Sequence, residues 1–330
     1  MNSNINMKKI YAGLVLFLFI FIFIALGAGD INIPLKDTVG SLFNKSYVDD
    51  STKNIVLNIR LPRIIMSVLI GMLLASSGTV VQTVFRNPLA DPYIIGISAS
   101  ATFGAIIAFI LELPDIMYGI SGFITSVIVI LIIFRLSKRK NGTDITSLLI
   151  IGIAISSFLG AFTSFSMYLI GQDSFKIVAW MMGYIGTSSW TKVSILLIPL
   201  VISVTYFYLK RYELDLLLSG DEEAHSLGLD VGKLKKNMLI ISALIVGFSV
   251  AFTGMIGFVG LIAPHTIRLL TKSSSNVKLI PLATLGGGLF LLICDTIGRT
   301  ILYPVEIPIG VVTAFFGAPF FLYLAMRKGG

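Results

Sequence analysis

The chain is poor in charge and almost empty of the residue types that do covalent or metal chemistry. Of 330 residues, 13% are Asp, Glu, Lys or Arg, two are His, two are Trp and one is Cys. The lone Cys294 excludes a disulfide framework and a thiolate metal site, and within LLICD it reads as a small buried hydrophobe. Neither His225 nor His265 has a metal-ligand partner at helical or loop spacing, and no nucleophile–base set is visible. A nucleotide-binding loop is missing as well. The nearest match, GLDVGKL at 228–234, has three residues between its glycines, lacks the Ser/Thr and follows no strand. The formal net charge of +8 lies in short clusters between apolar runs, not along a polar face interleaved with aromatics, which argues against nucleic acid. An enzyme, a metalloprotein and a nucleic-acid binder are thus all disfavoured by what is absent, and no resident cofactor is expected.

What the chain does have is apolar length. Hydrophobic residues make up 55% and the mean hydropathy is +0.93, values that belong to lipid. At roughly 20 residues per crossing of a ~30 Å hydrocarbon core, the length suits about ten spans and leaves no room for a separate soluble domain, so 1–330 is read as one transmembrane unit. Apolar runs place spans near 10–28, 64–84, 94–111, 116–134, 146–170, 193–209, 238–256, 257–270, 279–297 and 307–326. The first run also has the charged start and small-residue end of a secretory signal, but a retained span is the favoured reading. The pair 238–256 and 257–270 is ambiguous, because the second is short and carries Pro264. Kept separate, the pair puts most Lys and Arg on the inner side with both termini, including Lys8–Lys9, Lys138–Arg139–Lys140 and Lys235–Lys236; merged, the two sides become nearly even. The expected fold is therefore all-α and polytopic, with ten transmembrane helices.

Two segments share a pattern of small residues and proline. GMLLASSGTVVQTVFRNP starts at Gly71 and GFSVAFTGMIGFVGLIAP at Gly247; each repeats Gly seven residues on (Gly78, Gly254) and Pro ten further (Pro88, Pro264). With ten spans the two begin in opposite directions, as inverted repeats of transporters do.

Three arginines depart from the positive-inside trend: Arg60 and Arg63 in NIRLPRIIM, and Arg299 in DTIGRTILYP, all at outer span ends. They read either as snorkelling to lipid phosphates or as a basic rim on which an acidic external protein docks, with Pro62 stiffening the edge. Inside, the 210–237 loop contains LLLSGDEEAHSLGLDVGKLKK, read as a solvated anchor loop or as a short amphipathic helix seated in a partner's groove. Asp295 is the clear intramembrane carboxylate; four residues before Arg299, it reads as an intrahelical pair or as a proton relay. Asn87-Pro88-Leu89-Ala90-Asp91-Pro92 reads as a tight turn with Asp91 capping the helix after Pro92.

The chain resembles the iron-siderophore, haem and cobalamin permeases of type II ABC importers. The resemblance is carried by RLPR (60–63), SGTVVQTVFRNPLADPYIIGIS (77–98), WMMGYIG (180–186), SGDEEAHSLGL (219–229), GFVGLIAPHTIRLL (257–270, with Gly257 and Pro264) and EIPIGVVTAFFGAPFFLYL (306–324); the first 55 or so residues match loosely. It implies ten helices per subunit, a second permease copy, two cytoplasmic ATPases that hold the ATP and Mg, and an external binding protein in a bacterial cytoplasmic membrane. By similarity, Arg60, Arg63 and Arg299 match docking arginines. Ser219, Gly220, Asp221, Glu222, Glu223, Ala224, His225, Ser226, Leu227 and Gly228 match the ATPase-coupling segment, with Asp221 where relatives often have Glu. Implied substrates are a ferric siderophore or haem, then cobalamin; a proton-coupled transporter using Asp295 is the remote alternative.

Overall fold

The structure, a computed structural model, describes residues 7–29, 31, 33–139, 142, 143 and 145–328. Lys140 and both chain ends, expected on the inner side, lie outside the described residues. Helices dominate: α1 (Met7–Gly27), α2 (Leu35–Leu42), α3 (Asp50–Asn54), α4 (Leu61–Val84), α5 (Ile97–Ile110), α6 (Ile116–Leu136), α7 (Ile145–Ile170), α8 (Phe175–Met181), α9 (Trp190–Leu209), α10 (Arg211–Ser219), α11 (Asp221–Ser226), α12 (Val231–Thr253), α13 (Val259–Thr271), α14 (Asn276–Thr300) and α15 (Ile309–Lys328). A π-helical turn, Ile55–Arg60, joins α3 to α4, and Lys138–Arg139 pairs antiparallel with Gly142–Thr143 in a two-residue β ladder.

A helix coincides with every apolar run expected to span, but length does not confirm ten crossings. Among the described residues seven helical runs are long and apolar enough: α1, Asp50–Val84, α6, Ser147–Met181, α9, α12 and α14. Ile97–Ile110 and Ile309–Leu324 are shorter, and α13 has 13 residues, about 20 Å of helix against a ~30 Å core. The ambiguous pair is two helices. Gly254, at φ 68°, stops α12, and Phe258, at φ 67°, precedes α13, so the chain between them is not helical. A Cβ at Gly254 would run into the carbonyl of Trp180, so glycine is required there for space as well as for conformation.

The core forms around α4, which is buried along nearly its whole length, whereas α1 is buried only near its C-terminal end, at Ala25 and Leu26. Hydropathy alone does not explain this, since both are apolar enough to span; residue size does. α4 carries Gly71, Ala75, Ser76, Ser77 and Gly78, and small residues let backbones touch where lipid gives helices no hydrophobic reason to associate. A Cβ at Gly71 would meet the carbonyl of Gly287 in α14, and one at Gly78 the carbonyl of Gly260 in α13. Some hydroxyls along α4 are satisfied within the helix and others tie it to its neighbours: Thr79 donates to Ala75 O at 2.9 Å, Ser77 donates to Ser242 O of α12 at 3.3 Å, and Thr83 Oγ1 lies 2.9 Å from both Thr79 O and Asn276 Oδ1 of α14, its one proton shared between them.

The matching Gly/Pro segments do not follow a common course. The first is continuous helix through Val84 with Pro88 in the following loop; the second breaks after Thr253 and carries Pro264 inside α13. They touch where Gly78 meets Gly260.

Candidate functional site

At the N-terminal end of α4, Pro62 follows the π-helical turn directly and lacks the N–H that would reach back into it, where Leu57 O accepts from Trp190 Nε1 instead at 3.1 Å, and the helix places Arg60 and Arg63 beside the C-terminal end of α14. Arg63 Nε donates to Asp295 Oδ1 at 3.0 Å, and its two terminal nitrogens donate to Glu306 Oε1 and Oε2 at 2.8 and 3.2 Å, a bidentate pair. The guanidinium lies 5.9 Å from the Tyr184 ring centroid. Arg299 Nε stands 3.6 Å from Asp295 Oδ2, an ion pair longer than a hydrogen bond. The intrahelical partner expected for Asp295 is present, but the closer contact is Arg63, from a helix 232 residues away in sequence.

The outward rim expected for the three arginines is not what forms. Arg60 and Arg299 are 5% and 4% exposed. Arg60 Nη1 donates to Leu26 O at 2.7 Å and Gly27 O at 3.1 Å, and its Nη2 to Ile31 O. Arg299 Nη1 donates to Ala28 O at 2.8 Å and its Nη2 to Ala25 O. The carbonyls at the end of α1 have no partner within their own helix, and the guanidinium forks supply it, which is why these two arginines turn inward. Glu306, the acid that completes the cluster, carried no role in the sequence reading; an acid two residues before Pro308 at the start of an apolar run was the available signal.

At the opposite end, 210–237 folds as a helical hairpin. Leu214 and Leu217, three apart on α10, are fully buried, while Gly220 at φ 131° turns the chain into α11. Ala224 is also fully buried. Asp221 accepts from the buried Lys235 of α12 at 2.5 Å and pairs with Arg86 at 3.6 Å. That leaves Ser219, Glu222, Glu223, His225, Ser226, Leu227 and Gly228 exposed, with Leu227 at 64%. The segment is thus neither a solvated loop nor one amphipathic helix; it is two short helices fastened on one side and open on the other. Asp215, which the sequence reading passed over, accepts from Ser275 Oγ at 2.6 Å and from the backbone N–H and Nδ2 of Asn276 at 2.5 and 2.9 Å. Gln82 of α4 donates to Gly260 O at 3.0 Å and accepts from Arg268.

Between α4 and α5, Asn87 Oδ1 accepts from Leu89 N at 2.9 Å and Asp91 Oδ1 from Tyr93 N at 2.7 Å. Asp91 caps a 3-10 turn, Pro92–Ile95, and α5 itself starts after Gly96. Burial pushes the Asp91 carboxyl up to about 6. Gly257 lies in the break before α13, on a groove of about 640 Å³ shared with Met181, Met182, Met255 and Phe258. Among the described residues no group of three or more His, Cys, Asp or Glu could hold a metal.

The fold is a helical membrane bundle with a buried charge cluster at one end and an exposed acidic hairpin at the other. Residues 16–327 match the FecCD transport family, and the chain belongs to it as the membrane permease of an ABC importer. The hemin transport system permease protein HmuU of Yersinia pestis is 37% identical over 335 residues, 99% of this chain and 98% of that one. The cobalamin import system permease protein BtuC of Halobacterium salinarum is 38% identical over 280 residues, covering 84% and 74%. The molybdate import system permease protein MolB of Haemophilus influenzae is 32% identical over 336 residues, covering 98% and 97%. A solved structure described as an inward-facing conformation of a metal-chelate type ABC transporter aligns with a TM-score of 0.85 at 31% identity, covering 97% of this chain and 99% of that one.

Proposed function

We propose that this permease imports an iron chelate, a ferric siderophore or haem, handed over by an external binding protein and driven by ATP hydrolysis on separate cytoplasmic subunits. The full-length similarity to a hemin permease favours this substrate class, and the similarity to a cobalamin permease makes cobalamin the alternative. The observation that carries the mechanism is the hairpin: fastened by Leu214, Leu217, Asp215 and Asp221, it presents Glu222, Glu223, His225 and Leu227 as a surface for a partner. In this reading the hairpin end is cytoplasmic, the arginine end is external, and a second copy of the chain completes the channel. ATP-driven closure of the partner subunits biases the permease between outward- and inward-open states through their differential affinity for one of them. This chain contributes no step of ATP chemistry.

The binding protein meets the arginine end. Since Arg60 and Arg299 are committed to the α1 carbonyls, they brace that face from beneath, and Arg63 is the group an acidic lobe reaches, in exchange for Glu306. The test is reconstitution with the cognate ATPase and binding protein and uptake of ferric siderophore, haem and cobalamin in parallel. Uptake of cobalamin alone moves the substrate assignment, and uptake that needs a proton gradient but no ATP overturns the importer reading. Prolines at Glu223 and Ala224, which break α11, are expected to abolish stimulation of ATP hydrolysis by the loaded binding protein; normal stimulation rejects the hairpin as the coupling surface.

A further inference from the structure

We propose that α4 and α14 move as one bar across the membrane and that Asp215 pins this bar to the α10–α11 hairpin, so that a displacement of the hairpin reaches the Arg63–Asp295–Glu306 cluster at the far end. The proposal rests on the hairpin being the seat of the ATPase, and extends it to how the movement leaves the hairpin.

The pin is a carboxylate from one helix capping another. Ser275 precedes α14 and forms no side-chain cap of its own; Asp215 of α10 takes that place, accepting from Ser275 Oγ and from the first N–H of α14. An anion at a helix N-terminus gains from both the free N–H groups and the helix dipole. Asp215 also accepts from Asn276 Nδ2, and the fully buried Asn276 accepts from Thr83 Oγ1 in the last turn of α4 at 2.9 Å. One chain of hydrogen bonds therefore joins α10, α14 and α4.

The bar is held at its middle and far end too. Gly71 and Gly287 press backbone on backbone, leaving no layer of side chains on which the two helices could slide. Beyond them Arg63 of α4 holds Asp295 of α14 at 3.0 Å. Sliding α14 along α4 would break the Thr83–Asn276 bond and this ion pair together. The hairpin's other polar attachment, Asp221, is 44% exposed; its ion pair with the half-exposed Arg86 is the kind that contributes little, and its short bond to the buried Lys235 ties the hairpin to α12 and not to α4 or α14, while Leu214 and Leu217 pack without fixing direction. Asp215 is the positioning residue that gives the hairpin a directed hold on α14.

In the reconstituted transporter, Asp215→Asn keeps the shape and the Leu214/Leu217 packing but removes the charge and an acceptor. Assembly with the ATPase and basal hydrolysis are expected to persist, while chelate delivered per ATP falls about five- to tenfold. Adding Asn276→Asp restores the contact with reversed polarity and returns an acid to the first turn of α14, so delivery per ATP should recover. Unchanged delivery per ATP in Asp215→Asn overturns the pin, as does a loss explained wholly by less assembled protein. If the unaltered chain neither binds nor stimulates an ATPase, the hairpin reading fails instead. The pin is then still tested in the permease alone by spin-label distances between Leu218→Cys on the hairpin and Ile301→Cys at the far end of α14, both exposed, with Cys294 buried. One narrow distance that Asp215→Asn broadens supports the pin. A distance that is broad in the unaltered chain, or one that Asp215→Asn leaves narrow, refutes it.

Discussion

At the arginine end, three guanidinium groups, two carboxylates and the last carbonyls of α1 are turned on one another; at the hairpin end, Glu222, Glu223 and His225 stand outward while Asp221 and Asp215 face in. The same residue types do different work at the two ends because their surroundings differ in water. Where the groups are buried, a charge is tolerable only beside an opposite charge or an acceptor, and the outcome is a fixed geometry joining α1, α4, α14 and the segment that leads into α15. Where the surface is wet, an acid needs no internal partner and is left for a neighbour to use. Burial therefore separates the charges that hold the permease together from those that meet its partners, and the type of residue does not.

The largest effect should come from breaking the buried end. Asp295→Ala leaves Arg299 without its carboxylate and Arg63 with Glu306 alone, a buried charge uncompensated, and is expected to cost about 3–5 kcal/mol, seen as loss of monodisperse protein and a lowered melting temperature in detergent. Asp295→Asn tests the rival role: a proton relay would lose uptake with the fold intact, whereas a structural carboxylate loses stability first. A stable, folded Asp295→Ala protein would show that the cluster does not hold the two helices.

A paired change sharpens the contrast. Glu306→Gln removes half of a bidentate ion pair and should lower stability by about 1.5–3 kcal/mol, while Glu222→Gln with Glu223→Gln should stay within about 0.5 kcal/mol of the unaltered chain. Affinity is expected to respond in the reverse sense: the hairpin pair weakens ATPase binding, whereas Glu306→Gln frees Arg63 and tightens binding of the external protein. Equal stability losses at the two ends would erase the distinction, and a weaker external complex in Glu306→Gln would reject the exchange at Arg63.

How much of this was legible in the sequence follows from the solvent. Lipid demands long apolar helices, so the spans around α1, α6, α7, α9 and α14 could be read from apolar runs to within a few residues, whereas α12 starts seven residues before the run read for it and takes in the basic stretch at Lys233–Lys236. Which helix sits inside could not, because helices facing lipid and helices facing protein are equally apolar; the clue at α4 was residue size, in Gly71, Ala75 and Gly78. Nor do apolar runs decide crossing: α13 reads as a span, yet it is cut to 13 residues by the turn at Gly254–Phe258. Local spacing found the Asp295–Arg299 pair but not the nearer Arg63, since i, i+4 logic cannot see across 232 residues. Asp215 was hidden among the leucines of α10, where its neighbours suggested only an apolar turn; Asn276 was likewise one polar residue at the foot of a span.

The smallest effect concerns an acid at the hairpin end that fits neither class, partly buried but set against a backbone N–H rather than a cation. Asp91 has its pKa raised to about 6 in the folded chain by burial, above its ordinary value. Between about pH 4 and 6 the folded state therefore holds more protons than the unfolded one, so this group makes stability fall as pH rises through that window. At pH 7 its charge is a standing cost; at pH 4 the cost is gone. Asp91→Asn keeps an oxygen for Tyr93 N–H and never carries the charge. It should melt about 2–4 °C above the unaltered chain at pH 7, with the gap closing toward pH 4. A gap that does not change with pH would mean that Asp91 is solvated like Glu222 and belongs with the exposed acids.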